Sequence, residues 1–232
     1  MLAYIIRRVM QSALVLLIVG LAAFSMFRFV GDPIENMLGQ ERTTVDIERL
    51  RDQLGLDEPF IVQYVKFLEG AVQGSFGVSY RQGRPVSDIL AERAPATLEL
   101  AAVSSVLAIA FGTAFGVFTA IRREGFLANF IMSTSLIGVS LPTFLIGILL
   151  IYIFSVELGW LPSFGRGETV LIGNWSTGFL TASGLKALIL PSITLGLYQM
   201  TLIMRLVRSE MLEVLRQDYI RFARARGLKN RT

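Results

Sequence analysis

Four long apolar runs constrain this chain more than any other feature. They extend from about Val9 to Val30, Ala96 to Ile121, Phe126 to Phe154 and Leu185 to Met204, and each approaches or exceeds the roughly 20 residues that a helix needs to cross a bilayer. Charged residues make up only 17% of the 232 residues, whereas a soluble domain usually carries about 25%. The sequence therefore predicts an all-α integral membrane protein, a polytopic helix bundle with four spans.

The first run has two interpretations. Ala23-Phe24-Ser25 loosely fits the small-x-small cleavage site of a secretory signal peptide. The apolar residues continue past that site to Val30, which is more typical of a membrane anchor. The anchor is the favoured interpretation.

Basic residues predict the orientation. Arg7 and Arg8 precede the first run, Arg122 and Arg123 follow the second, and the residues after the fourth are densely basic. Because cytoplasmic loops are enriched in Lys and Arg, both termini are predicted to be cytoplasmic. The predicted organisation is an N-terminus with the first span (1–30), an external helical segment (31–95), spans two to four (96–204) and a cytoplasmic segment (205–232).

The external segment is patterned as two amphipathic helices. The first is predicted by a capping box at Thr43-Thr44-Val45-Asp46, followed by Ile47, Leu50 and Leu54. The second is predicted by a cap at Asp57 before Pro59, and by an apolar stripe of Ile61, Tyr64, Val65 and Leu68 that ends at Gly70. These residues favour a lid over the spans, with a docking surface for an external partner as the alternative.

Two features lie within the predicted spans. Gly112 and Gly116 form a GxxxG pattern, which favours close packing between helices. Pro142, beside Ser140 and Thr143, predicts a kink in the third span, because proline removes a backbone hydrogen bond. The kink would either line a water-filled route or form a packing bend, and both interpretations stay open.

Glu99 is the one carboxylate near the start of the second run. It lies four residues after Pro95, so we expect it in the first turn of the helix, near the positive end of the helix dipole. A structural role is favoured over a functional one. The spans are otherwise nearly free of ionisable groups, which makes a secondary transporter with a proton or ion relay the weakest transport hypothesis.

Composition and motifs exclude several chemistries. The chain has no cysteine and no histidine, which excludes disulfides, Ser-His and Cys-His pairs and the common zinc and copper sites. It carries neither a G-x-x-x-x-G-K-[ST] nucleotide loop nor a G-x-S-x-G nucleophile elbow. We expect no enzyme activity, no cofactor in this chain and no nucleic-acid partner, so energy for transport would come from another subunit.

The basic tail contains a short bracketed helix. Asp218 suits an N-cap and Gly227 suits the C′ position, which predicts a helix over Tyr219–Arg226. Ala223 and Ala225 have small side chains, so this part of the helix could approach closely to a groove in another protein. An apolar stripe is expected along Leu212, Leu215, Tyr219 and Phe222 if the helix is continuous with the last span. Composition alone equally favours a basic helix lying on anionic lipid.

A family resemblance favours the protein dock. The tail resembles the EAA loop of ABC importer permeases, with Ala223 and Gly227 at the family's alanine-to-glycine spacing. Arg221 and Phe222 replace the motif's glutamate and first alanine, as in the dipeptide/oligopeptide/nickel branch. Further similar segments follow in the family's order: "YIIRRV" at Tyr4, "GDP" at Gly31, "LRDQLGLDEPFIVQY" at Leu50, "GSFGVSY" at Gly74, "RAPATLEL" at Arg93 and "SLPTF" at Ser140.

The resemblance implies a function and partners. It implies a permease subunit of an ATP-driven importer for peptides or similar small solutes, in the cytoplasmic membrane of a bacterium or archaeon. The implied partners are a second homologous permease, two ABC ATPases that hold ATP and magnesium, an extracytoplasmic solute-binding protein and membrane lipid. The external segment would then meet the binding protein, which reverses the preference for a lid.

The resemblance also assigns candidate residues. The ATPase-coupling residues would be Asp218, Tyr219, Ala223, Ala225 and Gly227, and the pathway candidates are Ser140, Pro142 and Thr143. Family members have about six spans and an I-x-L-P continuation of this loop, so we expect the chain to be a fragment or a truncated gene product. The alternative function is a non-transporting assembly or sensor protein with a lipid-binding basic tail.

Overall fold

A computed structural model describes residues 1–29, 56–79 and 81–227 of the chain. The described residues form two compact units, one within Met1–Glu92 and the other within Arg93–Thr232. The first predicted external helix, with its capping box at Thr43–Asp46, lies outside the described residues.

The first unit contains two helices that pack through aromatic rings. Helix α1 spans Leu2–Phe29 and helix α2 spans Phe60–Val72. The Phe24 ring of α1 lies 5.5–5.8 Å, centroid to centroid, from three rings of α2, those of Phe60, Tyr64 and Phe67. The Tyr64 hydroxyl donates a hydrogen bond of 2.7 Å to the Leu17 carbonyl. Aromatic packing and this bond hold α2 against α1.

Two details predicted for α2 are wrong. The N-cap residue is Pro59, without a side-chain cap hydrogen bond, so Asp57 is not the cap. The preceding turn is instead held by Gln63, whose amide donates to the carbonyls of Leu56 and Glu58. Ile61 and Val65 of the predicted stripe are exposed, because α2 turns its Phe60–Phe67 side toward α1.

Helix α3 spans Val86–Ile121 and starts ten residues before the predicted second span. The chain then continues as α4 (Phe126–Ser135), α5 (Ile137–Ser140), α6 (Thr143–Ile151) and a π-helix (Tyr152–Glu157). Strands β1 (Val170–Ile172) and β2 (Trp175–Thr177) form an antiparallel hairpin. Helix α7 (Ala182–Val214) and helix α8 (Asp218–Ala225) complete the described residues.

Small residues bring α3 and α7 together. A Cβ on Gly112 would lie 2.9 Å from the Met200 carbonyl oxygen, and a Cβ on Gly116 would lie 2.8 Å from that of Met204. Gly196 of α7 in turn faces Ser104 of α3. The matched residues advance together along both helices, so α3 and α7 run parallel. The prediction that the GxxxG pattern serves close packing is confirmed.

The third predicted span is broken and packs along α7 in the opposite direction. The α4–α5 segment and the α6–π segment meet at a bend of more than 40°. Thr201 of α7 donates to the Ser135 carbonyl at 3.2 Å, and Gly147 of α6 faces Thr194. The bend falls at Leu141–Pro142, where Pro142 has an extended ψ of 136° and is the N-cap of α6. The predicted kink at Pro142 is therefore present.

Among the described residues, α1, α3 and α7 are each long and apolar enough to cross a membrane, and the bent pair would make a fourth span. The predicted helical membrane fold is confirmed, with the short β-hairpin before α7 as an addition.

Candidate functional site

Helix α8 forms the candidate site that the sequence predicted. It spans Asp218–Ala225 and is followed by Gly227 at a φ of +85°. That left-handed conformation suits glycine at C′, as predicted. Asp218 is the first helical residue rather than the residue before the helix, and its carboxylate lies 3.7 Å from a guanidinium nitrogen of Arg221. A carboxylate in the first turn is still stabilised by the positive end of the helix dipole.

A turn separates α8 from α7. Helix α7 ends at Val214, and the amides of Arg216 and Gln217 donate to the carbonyls of Glu213 and Val214 at 3.0 Å. The predicted continuous stripe from Leu212 to Phe222 is therefore wrong, because helical spacing places residues on one face only within a single helix.

The two aromatic rings of α8 are instead exposed, whereas Ile220 is half-buried. Tyr219 and Phe222 are 60% and 63% exposed, and the Arg226 guanidinium lies over the Phe222 ring at 5.5 Å from its centroid. Ala223 is half-buried and Ala225 is exposed. The helix thus presents two aromatic rings and small side chains, flanked by cations. Aromatic and arginine side chains are the residues enriched at protein interfaces.

A cleft opens beside the start of α8. Its volume is about 560 Å³. Residues from the end of α7, the turn and the first residue of α8 line it: Ser209, Leu212, Glu213, Arg216, Gln217 and Asp218. The candidate site is therefore a protruding short helix with a polar cleft at its base.

The predicted pathway residues lie at the break of the third span. Ser140 ends α5, Pro142 caps α6 and Thr143 is the first residue of α6. All three are exposed in the described chain. The structure brings them together with each other but does not bring them to α8.

The sequence did not predict a hydrogen-bonded cluster around the buried carboxylate of Glu99. Arg166, Trp175 and Gly178 complete this Glu99 cluster. Glu99 is 3% exposed and lies well inside α3, so the expectation of a first-turn position is wrong. One carboxylate oxygen accepts from the Arg166 guanidinium at 3.1 Å and from the Gly178 amide at 3.2 Å. The other accepts from the Trp175 indole at 3.2 Å. The structural role expected for Glu99 is retained, but its partner is a hairpin rather than a helix dipole.

Arg166 links this carboxylate to the hairpin. Its guanidinium also donates to the Ser176 hydroxyl at 2.7 Å and to the Ser176 carbonyl. The loop around Arg166 is fixed to the start of α7, because Thr181 accepts from the Gly184 amide and donates to the Glu168 carbonyl. A lone Glu at the start of an apolar run and a lone Arg in a nearly uncharged loop were the available signals. Their pairing depends on tertiary contact.

The Glu99 cluster and α8 lie at opposite ends of the parallel helices. Glu99 accepts from the Gly178 amide just before α7 begins, and α8 follows the other end of α7 after the turn of 215–217. Helix α7 has 33 residues, which corresponds to a rod of about 50 Å. The arrangement contains no metal-binding cluster among the described residues. The arrangement joins a short helix with exposed rings, through the long helix α7, to a loop held by Glu99 at the far end.

These features define a class of protein, a polytopic helical membrane protein with a short amphipathic helix after a long span. Two family models match the chain. Residues 112–232 match the binding-protein-dependent transport system inner membrane component, and residues 1–101 match the N-terminal part of such membrane components. The chain belongs to this family.

Similar proteins carry transport names. The chain is 41% identical to the oligopeptide transport system permease protein AppB of Bacillus subtilis, over 99% of this chain and 71% of the relative. It is 38% identical to a putative peptide transport system permease protein of Brucella abortus, over 98% of this chain and 70% of the relative. The glutathione transport system permease protein GsiC of Escherichia coli K12 is also 38% identical, again over 98% and 70%.

The predicted function class is thereby confirmed. The chain is a permease subunit of an ABC importer in the inner membrane, and it is not itself an enzyme. A non-transporting assembly or sensor protein, the alternative from the sequence, does not fit this family.

Proposed function

We propose that this permease carries peptides or similar small solutes, and that α8 is the helix through which it receives force from a separate ATPase. The single observation that carries the coupling role is the form of α8: a short helix closed by left-handed Gly227, with Tyr219 and Phe222 exposed. Two exposed rings on eight residues would be costly to leave in water, since each ring buries a large apolar area on docking.

The solute class is supported by the names of the similar proteins. They are called oligopeptide, peptide and glutathione transport permeases. Selectivity among such solutes belongs to the solute-binding protein, a separate chain.

The complete importer would contain four kinds of component besides lipid. This chain pairs with a second homologous permease, two ABC ATPases bind at the cytoplasmic side, and an extracytoplasmic binding protein delivers solute. ATP and magnesium are held by the ATPases, and this chain holds no cofactor. The basic residues around α8 support a cytoplasmic position for it, by the positive-inside rule.

Force would pass along α7. Closure of the ATPases moves α8, and the turn of 215–217 transmits that motion to α7. Because Gly112 and Gly116 fix α3 closely to α7, the two parallel helices move as one body. The broken third span, which packs on α7 through Ser135 and Gly147, changes its contacts as α7 tilts. Ser140, Pro142 and Thr143 at that break line the route that opens and closes.

The test is co-purification of the ATPase with the permease in mild detergent. Gly227→Trp places a bulky side chain at a φ of +85°, which only glycine adopts freely. Ala223→Trp fills the low surface of α8. Both variants are expected to lose the ATPase. The matched control is Gly159→Trp, because Gly159 also has a positive φ of +62° and open space around it. Retained ATPase in both α8 variants, with solute uptake intact, would refute the coupling role.

The competing role for the basic tail is binding to anionic lipid. In that case the tail would bind anionic vesicles, its binding would collapse at high salt, and no ATPase would co-purify. The exposed rings and the low alanine surface favour a protein groove, because a lipid surface requires no such close approach.

A further inference from the structure

The loop between the π-helix and α7, residues 158–181, is called the hairpin loop here. It contains strands β1 and β2. It also carries both tryptophans of the chain, Trp160 and Trp175. The proposed coupling role of α8 does not involve this loop. Within the loop, only the residues that hydrogen-bond to Glu99 or Arg166 have an assigned role.

The hairpin loop exposes several large apolar side chains. Phe164 is 88% exposed and Trp160 is 63% exposed. Leu171 and Ile172 of β1, and Leu180 just before α7, are exposed as well. A soluble surface rarely gathers so many large apolar side chains in so short a segment.

The loop exposes one charged residue, Glu168, and the polar residues Ser163, Thr169 and Asn174. Its sequence contains only two charged residues, Arg166 and Glu168. The Arg166 guanidinium is bound to Glu99 and Ser176, and the strand backbones pair from Val170↔Thr177 to Ile172↔Trp175. The clamp on Arg166 therefore removes the loop's cation from the surface, and the hairpin satisfies backbone groups that an apolar phase would not.

Exposed apolar side chains also occur in the two predicted spans where the loop begins and ends. Val156 is exposed at the end of the third span, Leu158 at the start of the loop, and Leu185 in the first turn of α7. Since the loop begins and ends directly at these spans, its backbone is tethered close to the bilayer surface at both ends. Tryptophan and other aromatic side chains favour that boundary, because an apolar ring and a polar N–H are both accommodated there.

We infer that the hairpin loop is a membrane-interface anchor: Trp160, Phe164 and β1 rest in the headgroup–acyl boundary of the bilayer, and the Glu99–Arg166 pair holds the loop in that orientation. A site for the solute-binding protein is the competing occupant. A recognition surface for a soluble protein carries a polar rim, whereas Glu168 is the only charged residue that this loop exposes. The anchor would fix the α3 and α7 ends near Glu99 while α8 moves at the other end.

The test uses the two tryptophans as the only indole fluorophores of the chain. The full chain is reconstituted into phosphatidylcholine vesicles whose acyl chains carry bromine, a contact quencher, either near the headgroup or near the chain end. In Trp175→Phe, only Trp160 emits. Trp160 emission is expected to be lost with bromine near the headgroup, to be retained with bromine near the chain end, and to resist the aqueous quencher acrylamide.

The opposite pattern would overturn the inference. Trp160 that is quenched by acrylamide and not by either brominated lipid faces water, as a docking surface for a soluble protein would. If Trp175→Phe fails to fold because the indole bond to Glu99 is lost, the same value is obtained as the difference between the unaltered chain and Trp160→Phe.

A charge substitution tests the surface itself. Phe164→Asp places a carboxylate on the proposed boundary face, and it is expected to lower quenching by brominated lipid and raise quenching by acrylamide at Trp160. The matched control is Phe222→Asp, an exposed phenylalanine of α8, which should leave Trp160 quenching unchanged. Equal quenching in Phe164→Asp and the unaltered chain would count against the anchor.

Discussion

Oε2 of Glu99 lies 3.1 Å from Nη2 of Arg166, although 67 residues separate them in the sequence. The side chain of Glu99 is almost fully buried and that of Arg166 is 27% exposed. The pair joins the second span to the loop before α7. A buried carboxylate of this kind is stable only while its donors are present, since an unpaired buried charge is costly.

Removal of Arg166 therefore destabilises the protein. Arg166→Met is expected to lower the free energy of unfolding by about 3 kcal/mol, because Glu99 stays buried without its cation. Denaturant titration in mild detergent measures this quantity. The control is Arg84→Met, which breaks the Arg84–Glu92 pair between two exposed side chains and should cost less than about 1 kcal/mol. Equal losses in the two variants would contradict the clamp.

The close crossing of α3 and α7 depends on Gly116. Its added Cβ would lie 2.8 Å from the Met204 carbonyl oxygen and the Val207 Cβ. Gly116→Ala is expected to cost about 1–3 kcal/mol, because backbone and a β-branched side chain must move apart. Gly147→Ala is the matched control, since its Cβ would meet only Thr194 at 3.5 Å. That control should be neutral or stabilising by up to about 1 kcal/mol through helix propensity. Unfolding in detergent distinguishes the two.

Water access at the break of the third span tests the proposed pathway. The chain has no cysteine, so single cysteines can be introduced without a background. Ser140→Cys and Thr143→Cys in the assembled importer are expected to react with a membrane-impermeant thiol reagent, and solute should slow that reaction. Ile148→Cys, an exposed apolar position on α6, is the control and should stay unlabelled in lipid. If only the control position is labelled, the break of the third span does not line the pathway.

We expect the exposed rings of α8 to contribute much of the affinity for the ATPase. Phe222→Ala is expected to weaken ATPase binding by about thirtyfold, which corresponds to about 2 kcal/mol, the loss typical of an interface hot spot. Titration of the ATPase against detergent-purified permease gives this value. Arg221→Ala, which removes an exposed cation that pairs with Asp218, is the matched control and should change affinity by less than tenfold. An unchanged Phe222→Ala affinity would place the docking surface elsewhere.

Local signals predicted the elements well. The apolar runs correspond to α1, α3, the α4–π segment and α7, because length and hydropathy are sufficient to define a span. Gly227 was placed at C′ correctly, since the need for a left-handed residue is a property of the helix end alone. The break at Pro142 follows from the missing backbone donor. Asp57 and Asp218 were each misplaced as caps because helix starts shift with their surroundings.

Contacts between distant segments were not predictable in the same way. The sequence predicted Glu99 in the first turn of a helix. The structure places it well inside α3, where three residues of the loop before α7 donate hydrogen bonds to it. The stripe from Leu212 to Phe222 assumed one continuous helix, and the turn at 215–217 ended it. The face of α2 that packs was decided by the Phe24 ring on α1.

The sequence by itself determined that this is a helical membrane protein, which runs are long and apolar enough to cross a membrane, and where a short helix closed by glycine follows the fourth run. These properties depend on hydropathy, periodicity and residue conformation over short stretches. Only the tertiary structure decided that Gly112 and Gly116 meet α7, that Arg166 neutralises Glu99, and that the rings of α8 are left uncovered. Such pairings depend on which surfaces compete for contact when the whole chain is folded, and no local pattern encodes that competition.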